Sequence, residues 1–373
     1  LTAQNNGVTL KKTYTLKRGS YLMDVNYEVE NGSAQSIRPD VYMEIVRDGS
    51  EVGDSKFYTT YTGPVVYNAT NKYQKQSFAD IAKKKIDFDT HSDIGWVGMI
   101  QHYFVSAWVV PEKRERVFYA DTLQQTGAQG SPIYRVGERL SLGDIAPAAK
   151  TSFNSQLYVG PQDQDKLAAI APGLDLTVDY GWLTIIAKPV HWFLTFLHQF
   201  IPNWGWAIVA LTVIMKLAFF PLTAASYKSM AKMRQLAPKI KILQEQYPDD
   251  KMKLNQETMA LYKAEKVNPA GGCLPMLIQM PVFIALFYVL QAAVEMRGAP
   301  WAGWIHDLSL PDPLYILPVL MMVTMILQTW LNPKPADPTQ AKMMWIMPFM
   351  FAFTFFFFPS GLVLYWVVSN IFS

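Results

Sequence analysis

Along residues 1–170 apolar positions recur at every second residue in short runs. Tyr21, Met23, Val25, Tyr27 and Val29 alternate with polar neighbours until Asn31-Gly32, and Val41, Met43 and Ile45 repeat the pattern up to Asp48-Gly49. A period of two puts alternate side chains on one buried face, and Gly, Asn and Asp punctuate such strands. Further runs at Phe104 to Val110 and Ile133 to Val136 complete the prediction of an antiparallel β-sandwich. A short helix is expected over Gln162 to Ala171, and Pro172-Gly173 closes a first domain of residues 1–172.

The period then changes. Between Trp182 and Phe200 the polar residues Thr184, Lys188, His191, Thr195 and His198 fall three or four apart, one stripe on an otherwise apolar helix. With Trp182 and Trp192 near the stripe and Pro202-Asn203 as a stop, residues 181–201 predict an amphipathic helix lying in a membrane interface. A spanning helix whose stripe faces a neighbour is the alternative. Stretches free of Asp, Glu, Lys and Arg run over 189–215, 267–294, 313–333 and 343–373. Each exceeds the roughly 20 apolar residues that cross a bilayer. Pro359-Ser360-Gly361 divides the last stretch into a tight hairpin, whose second helix has about 12 residues before Ser373, or ~18 Å.

The expected fold is thus an α-helical membrane core of five transmembrane helices over 204–373, joined to an all-β extramembrane domain. Its first span is expected from Trp204 to Thr223, interrupted at bilayer depth by Lys216. A polar helical hairpin follows at 226–267, its helices meeting at Pro248-Asp249-Asp250, where an Asp is placed to cap the second. Asn268 to Gly272 ends the hairpin. These blocks exclude a purely soluble protein, and the polar first half excludes a purely embedded one.

Charge orients the core. The hairpin holds nine basic and five acidic side chains, and an excess of Lys and Arg marks the cytoplasmic side. The loop with Lys334 and Lys342 then also lies inside, and the loop with Glu295, Arg297, Asp307 and Asp312 outside, as does the β-domain. Trp204, Trp206, Trp301, Trp304, Trp330 and Trp345 fall near span ends, as an aromatic belt requires. This topology calls for an anchoring span upstream of Leu1 and a continuation past Ser373. Cys273 is the only cysteine, which excludes an intrachain disulfide and a thiolate metal centre.

Catalytic patterns are scarce: the chain has no G-x-x-x-x-G-K-[ST], H-E-x-x-H or G-x-S-x-G. His91 and His102, in the company of Asp87, Asp89 and Asp93, are better explained as solvated loop residues than as a sugar site, and His306-Asp307 as loop packing. Seven methionines in or beside the third and fourth spans, Met321 to Met350, suit either lipid contact or an adaptable apolar surface. Lys216 is different. An ammonium at bilayer depth costs roughly 2.5–3.5 kcal/mol on insertion scales, and the charge-free windows offer it no carboxylate. Water remains, in a cavity open to the cytoplasm and lined by neutral polar groups. Thr212 and Thr223 share the face of Lys216, while Gln279, Thr324, Gln328, Thr354, Ser369 and Asn370 lie on other spans. A Thr or Ser commonly bonds back to its own helix; the amides of Gln279 and Asn370 need partners elsewhere.

The run Met259 to Leu290, the loop Trp304-Ile305-His306-Asp307-Leu308 and the turn Phe358-Pro359-Ser360-Gly361-Leu362-Val363-Leu364-Tyr365 resemble the YidC family of membrane protein insertases. The resemblance covers residues 180–373, and the first domain is similar to the periplasmic β-super-sandwich of Gram-negative members. It implies helices around a groove open to the cytoplasm and to lipid but sealed on the periplasmic side. Such a groove receives hydrophilic client segments while apolar segments leave laterally into the bilayer. By resemblance Lys216 is the groove cation, at a position where Arg is common, and Thr212, Gln279, Tyr365 and Trp366 match groove or client-contact positions. Trp366 and Phe220 stand where Tyr is frequent. The implied protein is not an enzyme and needs no cofactor or metal. It sits in the bacterial inner membrane. Its implied partners are nascent membrane proteins, membrane lipid, the Sec translocon and, through 226–267, the ribosome or the signal recognition particle pathway; nucleic acid is not a primary ligand. Two other readings are a small-anion transporter or channel with Lys216 as its anion site, and an enzyme that modifies carbohydrate in the β-domain.

Overall fold

The structure is a computed structural model that describes residues 1–50, 61–126, 130–248, 250–265, 267, 274–331 and 338–373. It forms two compact units, Leu1–Asp179 and Tyr180–Ser373. The expected hairpin stop at Asn268 to Gly272, together with Asp249, Cys273 and Lys334, lies outside the described residues.

The first unit runs β1 (Thr2–Asn5), β2 (Val8–Leu16), β3 (Leu22–Asn31), β4 (Asp40–Asp48), β5 (Thr62–Asn68), β6 (Lys72–Lys75), α1 (Phe78–Ala82), β7 (His91–Ser92), β8 (Gly95–Gln101), β9 (Phe104–Val109), β10 (Arg116–Thr126), β11 (Pro132–Ser141), β12 (Lys150–Pro161) and α2 (Gln164–Ile170). Eight strands form one antiparallel sheet in the order β1-β2-β3-β12-β9-β8-β5-β6, and four form a second in the order β4-β11-β10-β7. Val25, Tyr27, Trp108 and Phe153 of the large sheet pack with Val41, Met43, Phe118 and Val136 of the small one. Val25, Tyr27 and Val29 of the first period-two run and Val41 and Met43 of the second point inward, while Tyr42 is exposed and so is Tyr21, which precedes β3. Asn31-Gly32 is a crossing between sheets rather than a hairpin turn. The buried Asn31 amide donates to Gln35 O at 2.7 Å and Ile145 O at 2.8 Å, which fixes the chain as it leaves β3 for β4. Asp163 caps α2 through Lys166 N.

Arg116 and Glu138, on β10 and β11, form an ion pair at 3.2 Å with both side chains fully buried. Arg116 also donates to the carbonyls of Glu112, Gly95, Arg114 and Asp93. Glu138 Oε1 has no hydrogen-bond partner among the described residues. Burial disfavours the charged form of Glu138 more than Arg116 restores it, so this carboxyl is pushed up to about 7.

The second unit holds α3 (Thr184–Phe200), α4 (Trp204–Ala218), α5 (Phe220–Gln246), α6 (Lys251–Ala264), α7 (Leu274–Ala292), α8 (Ile316–Leu331), α9 (Pro338–Phe355) and α10 (Ser360–Ile371). Helix α3 packs against α7 and α4. Trp182, Ile185, Trp192 and Phe200 of the α3 segment are exposed, whereas its polar stripe is half-buried and His198 stacks on Trp204 at 3.8 Å. The aromatic side, not the polar one, is thus the outer face.

Two expectations change. The span from Trp204 to Thr223 is broken: α4 ends at Ala218, Phe219 caps it, and α5 begins at Phe220. Pro221 explains the break, because its ring would clash with the carbonyl of Leu217 in a continuous helix, yet it fits the first turn of a new one. Helix α5 then runs unbroken from Phe220 through Ser226 to Gln246, so the first helix of the α5–α6 hairpin begins at Phe220 rather than at residue 226. In addition, no single helix among the described residues is long and apolar enough to cross a membrane; Gly181–Phe200 and Trp204–Ala218 pass that test only together, as a pair bent by 120°. Five complete crossings are therefore not evident from helix lengths. Between α5 and α6, Leu236 and Ile240 pack on Val267, Lys239 pairs with Glu265 at 2.6 Å, and Asp250 caps α6 through Lys253 N at 2.9 Å.

Glu138 generates a pH dependence with a definite sign. Its folded value, about 7, lies above the ordinary 4.5, so the folded state holds the proton more tightly. Its contribution is fully present below the unfolded value and is lost as pH rises through the folded one. The urea midpoint for proteolysis of the first unit, measured on the full chain, should fall between about pH 5 and about pH 8 more steeply than in Glu138→Gln. At the higher pH, Arg116→Met should cost roughly 3–5 kcal/mol by stranding the carboxylate.

Candidate functional site

Lys216 sits in the last turn of α4, a direct result of the break at Phe219. Carbonyls at a helix C-terminus lack intrahelical donors and carry partial negative charge, which favours a cation there. Lys216 Nζ donates to Gln279 Oε1 at 3.1 Å and to Ser373 Oγ at 2.6 Å. Gln279, on α7, donates through Nε2 to Ser369 Oγ at 2.5 Å and to Tyr365 OH at 3.3 Å. Its amide is thereby oriented, oxygen toward the ammonium and hydrogens toward two hydroxyls of α10. Ser373 Oγ donates in turn to Ser369 O at 2.6 Å, and Tyr227 OH of α5 donates to Ser373 O at 2.8 Å. Every hydrogen-bond partner of Lys216 among the described residues is neutral.

The group lines a recess with a cavity volume of about 30 Å³, walled by Thr212, Phe219, Thr223, Gln279 and Tyr365 beside Lys216. A water needs roughly 10–15 Å³ on this scale, and the walls offer polar groups to hold one. Thr212 and Thr223 face the recess, but each hydroxyl bonds back to its own helix, to Ile208 O at 2.7 Å and Phe219 O at 3.1 Å. They shape the wall rather than solvate the cation.

Not every residue singled out joins this cluster. On α10, Tyr365 and Ser369 are four apart and share the face toward Gln279, whereas Trp366 is about 100° further round. Its ring meets Phe283 edge-on at 4.5 Å and lies 5.8 Å from Phe351 and 5.4 Å from Phe355. Those three phenylalanines line a separate apolar cavity of about 390 Å³ between α7 and α9. Trp366 Nε1 is buried with no acceptor among the described residues. Asn370 looks toward α8, donating to Thr324 Oγ1 at 3.3 Å, and Thr324 bonds back to Met321 O. Tyr227 and Ser373 are the cluster members that sequence reasoning missed. Tyr227 carried no signal, since it lies in a stretch assigned to the hairpin. Ser373 could have been found, because it continues the four-residue spacing of Tyr365 and Ser369.

The opposite end of this unit is closed. Asn203 caps α4 through Trp206 N and donates to Trp301 O at 3.0 Å. Gly205 lies so close to Trp301 that a Cβ would come within 2.2 Å of its ring. At the start of α10, Ser360 N and Gly361 N donate to Leu310 O at 2.8 Å and Leu308 O at 3.0 Å, so carbonyls of the α7–α8 loop satisfy helix donors. Buried Asp312 accepts from Trp304 Nε1, Leu314 N and Leu317 N, locking that loop to the start of α8. His306 is exposed, and Asp307 accepts from Ser309, the loop-packing role expected of it. From Asn203 to Lys216 is ~20 Å of helix, so the cation and the closed end lie at opposite ends of α4.

Comparison with known proteins adds relatives along the whole chain. The family model of the YidC periplasmic domain matches residues 1–193, and that of the 60Kd inner membrane protein matches residues 196–373. The membrane protein insertase YidC of Cupriavidus taiwanensis is 55% identical over 373 residues, which is all of this chain and 66% of the relative. That of Dechloromonas aromatica is 54% identical over 372 residues, covering 100% of this chain and 67% of the relative. The chain thus spans about two thirds of the curated relatives it matches, 66% for the Cupriavidus protein. A crystal structure of an active YidC insertase with its first transmembrane domain resolved aligns with 99% of this chain and 73% of its own, at 21% identity and a TM-score of 0.48.

The recess predicts selective access for water. In a Cys273→Ser background, Lys216→Cys and Thr223→Cys should react with a water-soluble maleimide at least about tenfold faster than Leu211→Cys, which lies buried on the same helix, because alkylation needs a hydrated thiolate. Equal rates measured by mass shift would show that no water reaches Lys216.

Proposed function

The chain belongs to the YidC family of membrane protein insertases, and we propose that it inserts membrane proteins by holding a hydrophilic client segment at Lys216. The family is one of bacterial inner membrane proteins with a periplasmic domain. In this reading residues 1–172 are that periplasmic domain, 181–201 lie at the membrane interface, and 204–373 supply five spans around a groove open to the cytoplasm. The observation that carries it is the neutral company of Lys216, whose two bonded partners are an amide and a hydroxyl. Such a cation keeps its charge available to an incoming carboxylate, whereas a salt-bridged one would not.

A client tail in this groove meets the ammonium as a point charge, without the bidentate geometry of Arg. Gln279 positions the ammonium; Tyr365 and Ser369 hold Gln279. Bonding the tail there shortens its path through hydrocarbon, where an isolated charge is costly. The apolar client segment leaves along the aromatic side of α10, past Phe283 and Trp366, into lipid. On α10 the hydroxyls of Tyr365 and Ser369 turn to Gln279 while Trp366 packs on Phe283, against which the Tyr365 ring also stacks, so the two paths adjoin. The step is binding and release, with no covalent chemistry, no cofactor and no catalytic residue. Beyond nascent membrane proteins and lipid, the partners are the Sec translocon and, at the basic α5–α6 hairpin, the ribosome or the signal recognition particle pathway. Nucleic acid is not a primary ligand.

Lys216→Ala should lower insertion of a single-span client with an acidic translocated tail roughly tenfold, the worth of one hydrogen bond to a charged group. Lys216→Arg should be tolerated, and a client whose tail is neutralised should not distinguish the variants. Proteoliposome insertion assays read all three, and normal insertion of the acidic client by Lys216→Ala would refute the electrostatic role. Deleting residues 1–170 should leave most insertion intact, whereas a carbohydrate-modifying enzyme would lose its activity.

A further inference from the structure

Residues 1–180 contain seven arginines, and four of them gather at one end of the four-stranded sheet. Arg38, Arg114, Arg116 and Arg139 line an open depression of about 520 Å³, with His91 in its wall and Asp40 and Glu115 as its carboxylates. This runs against the background, since residues 1–180 hold 19 basic and 21 acidic side chains. The depression is also a built one. Arg116 is fixed beneath it by four backbone carbonyls and the buried Glu138 carboxylate. Leu140, Leu142 and Val117 add an apolar wall.

The other three guanidinium groups make only long polar contacts among the described residues, Arg114 also lying over the Phe153 ring at 5.7 Å. Arg139 Nε is 3.8 Å from Asp40, Arg114 Nη2 is 3.9 Å from Glu112, and Arg38 Nε is 3.5 Å from Ser141 Oγ. Charge-assisted bonds that saturate a guanidinium are about 2.7–2.9 Å long, so these forks retain free donors. Arg135 on the same sheet is the contrast, because Asp121 holds it at 2.6 and 2.9 Å.

We propose that this depression binds a small ligand with at least two adjacent anionic oxygens, a phosphate monoester or a polycarboxylate. Planar forks brought together from β11 and from the segments before β4 and β10 match the paired oxygens of such groups better than lysines would. The volume falls in the range of small-molecule sites, roughly 300–1,000 Å³. This site belongs to the β-unit and is independent of Lys216 and of client insertion.

Isothermal titration of the full, detergent-solubilised chain with sn-glycerol 1-phosphate, and separately with citrate, tests the assignment. At least one probe should bind saturably, one per chain. Its affinity should fall roughly tenfold or more in Arg38→Gln/Arg139→Gln, given the worth of a hydrogen bond to a charged group. Both residues are exposed, and an unchanged urea midpoint verifies that the double variant folds. Arg135→Gln should leave the affinity within about twofold, as a surface change away from the site. Nanodiscs with and without phosphatidic acid then separate the sources: displacement of the probe by the phosphatidic acid discs assigns the site to a lipid headgroup, and no displacement to a free solute. No saturable binding of either probe at millimolar concentration overturns the proposal. So does equal weakening by Arg135→Gln, which would reduce the effect to general charge.

Discussion

The second unit is organised around one ammonium in a mainly apolar helix. Lys216 is accommodated because α4 stops two residues later, where unsatisfied carbonyls stabilise a cation, and because Gln279 and Ser373 turn oxygens toward it. A carboxylate would neutralise the charge more strongly, but it would also occupy it. Neutral partners leave the charge exerted on whatever enters the recess. The buried Arg116–Glu138 pair of the first unit shows the opposite case, a cation set against a carboxyl group.

Helix α10 carries polar and aromatic contacts side by side. Its N-terminal donors are taken up by carbonyls of the α7–α8 loop, which closes one end of the unit. Nearer its other end, Tyr365 and Ser369 support Gln279 while Trp366 joins the phenylalanines of α7 and α9. A helix advances about 100° per residue, so one short segment turns hydroxyls to Gln279 and an indole to the phenylalanines of α7 and α9.

Much of this was legible in the residues. Period-two alternation located β3 and β4 and their inward faces, and charge-free stretches located the apolar helices. The cost of an unpaired Lys singled out Lys216, and the impossibility of satisfying a Gln amide within its own helix singled out Gln279. An Asp capping the second helix was expected at Pro248-Asp249-Asp250, and Asp250 fills that place. Other features were not accessible in this way. Pro221 was visible, but whether it ends a helix or bends it depends on packing, and the outcome moved Lys216 from mid-span to a helix end. Asn31-Gly32 has the composition of a tight turn, yet the buried Asn31 amide serves a crossing between sheets.

Composition, periodicity and the rarity of charge determined that this chain has a β-sandwich unit and an apolar helical unit, and that one cation needed polar company. Those are properties of each segment's own side chains against water and lipid. Which groups supply that company was decided only in three dimensions. Tyr365 turns its hydroxyl to Gln279 while its neighbour Trp366 sits among phenylalanines, and Ser373 reaches Lys216 across a long separation, with Tyr227 bonded to the Ser373 carbonyl. The four arginines of the first unit converge only once β4, β10 and β11 are aligned. Contacts between distant segments depend on register and helix rotation, and a linear pattern constrains these only through the packing that realises them.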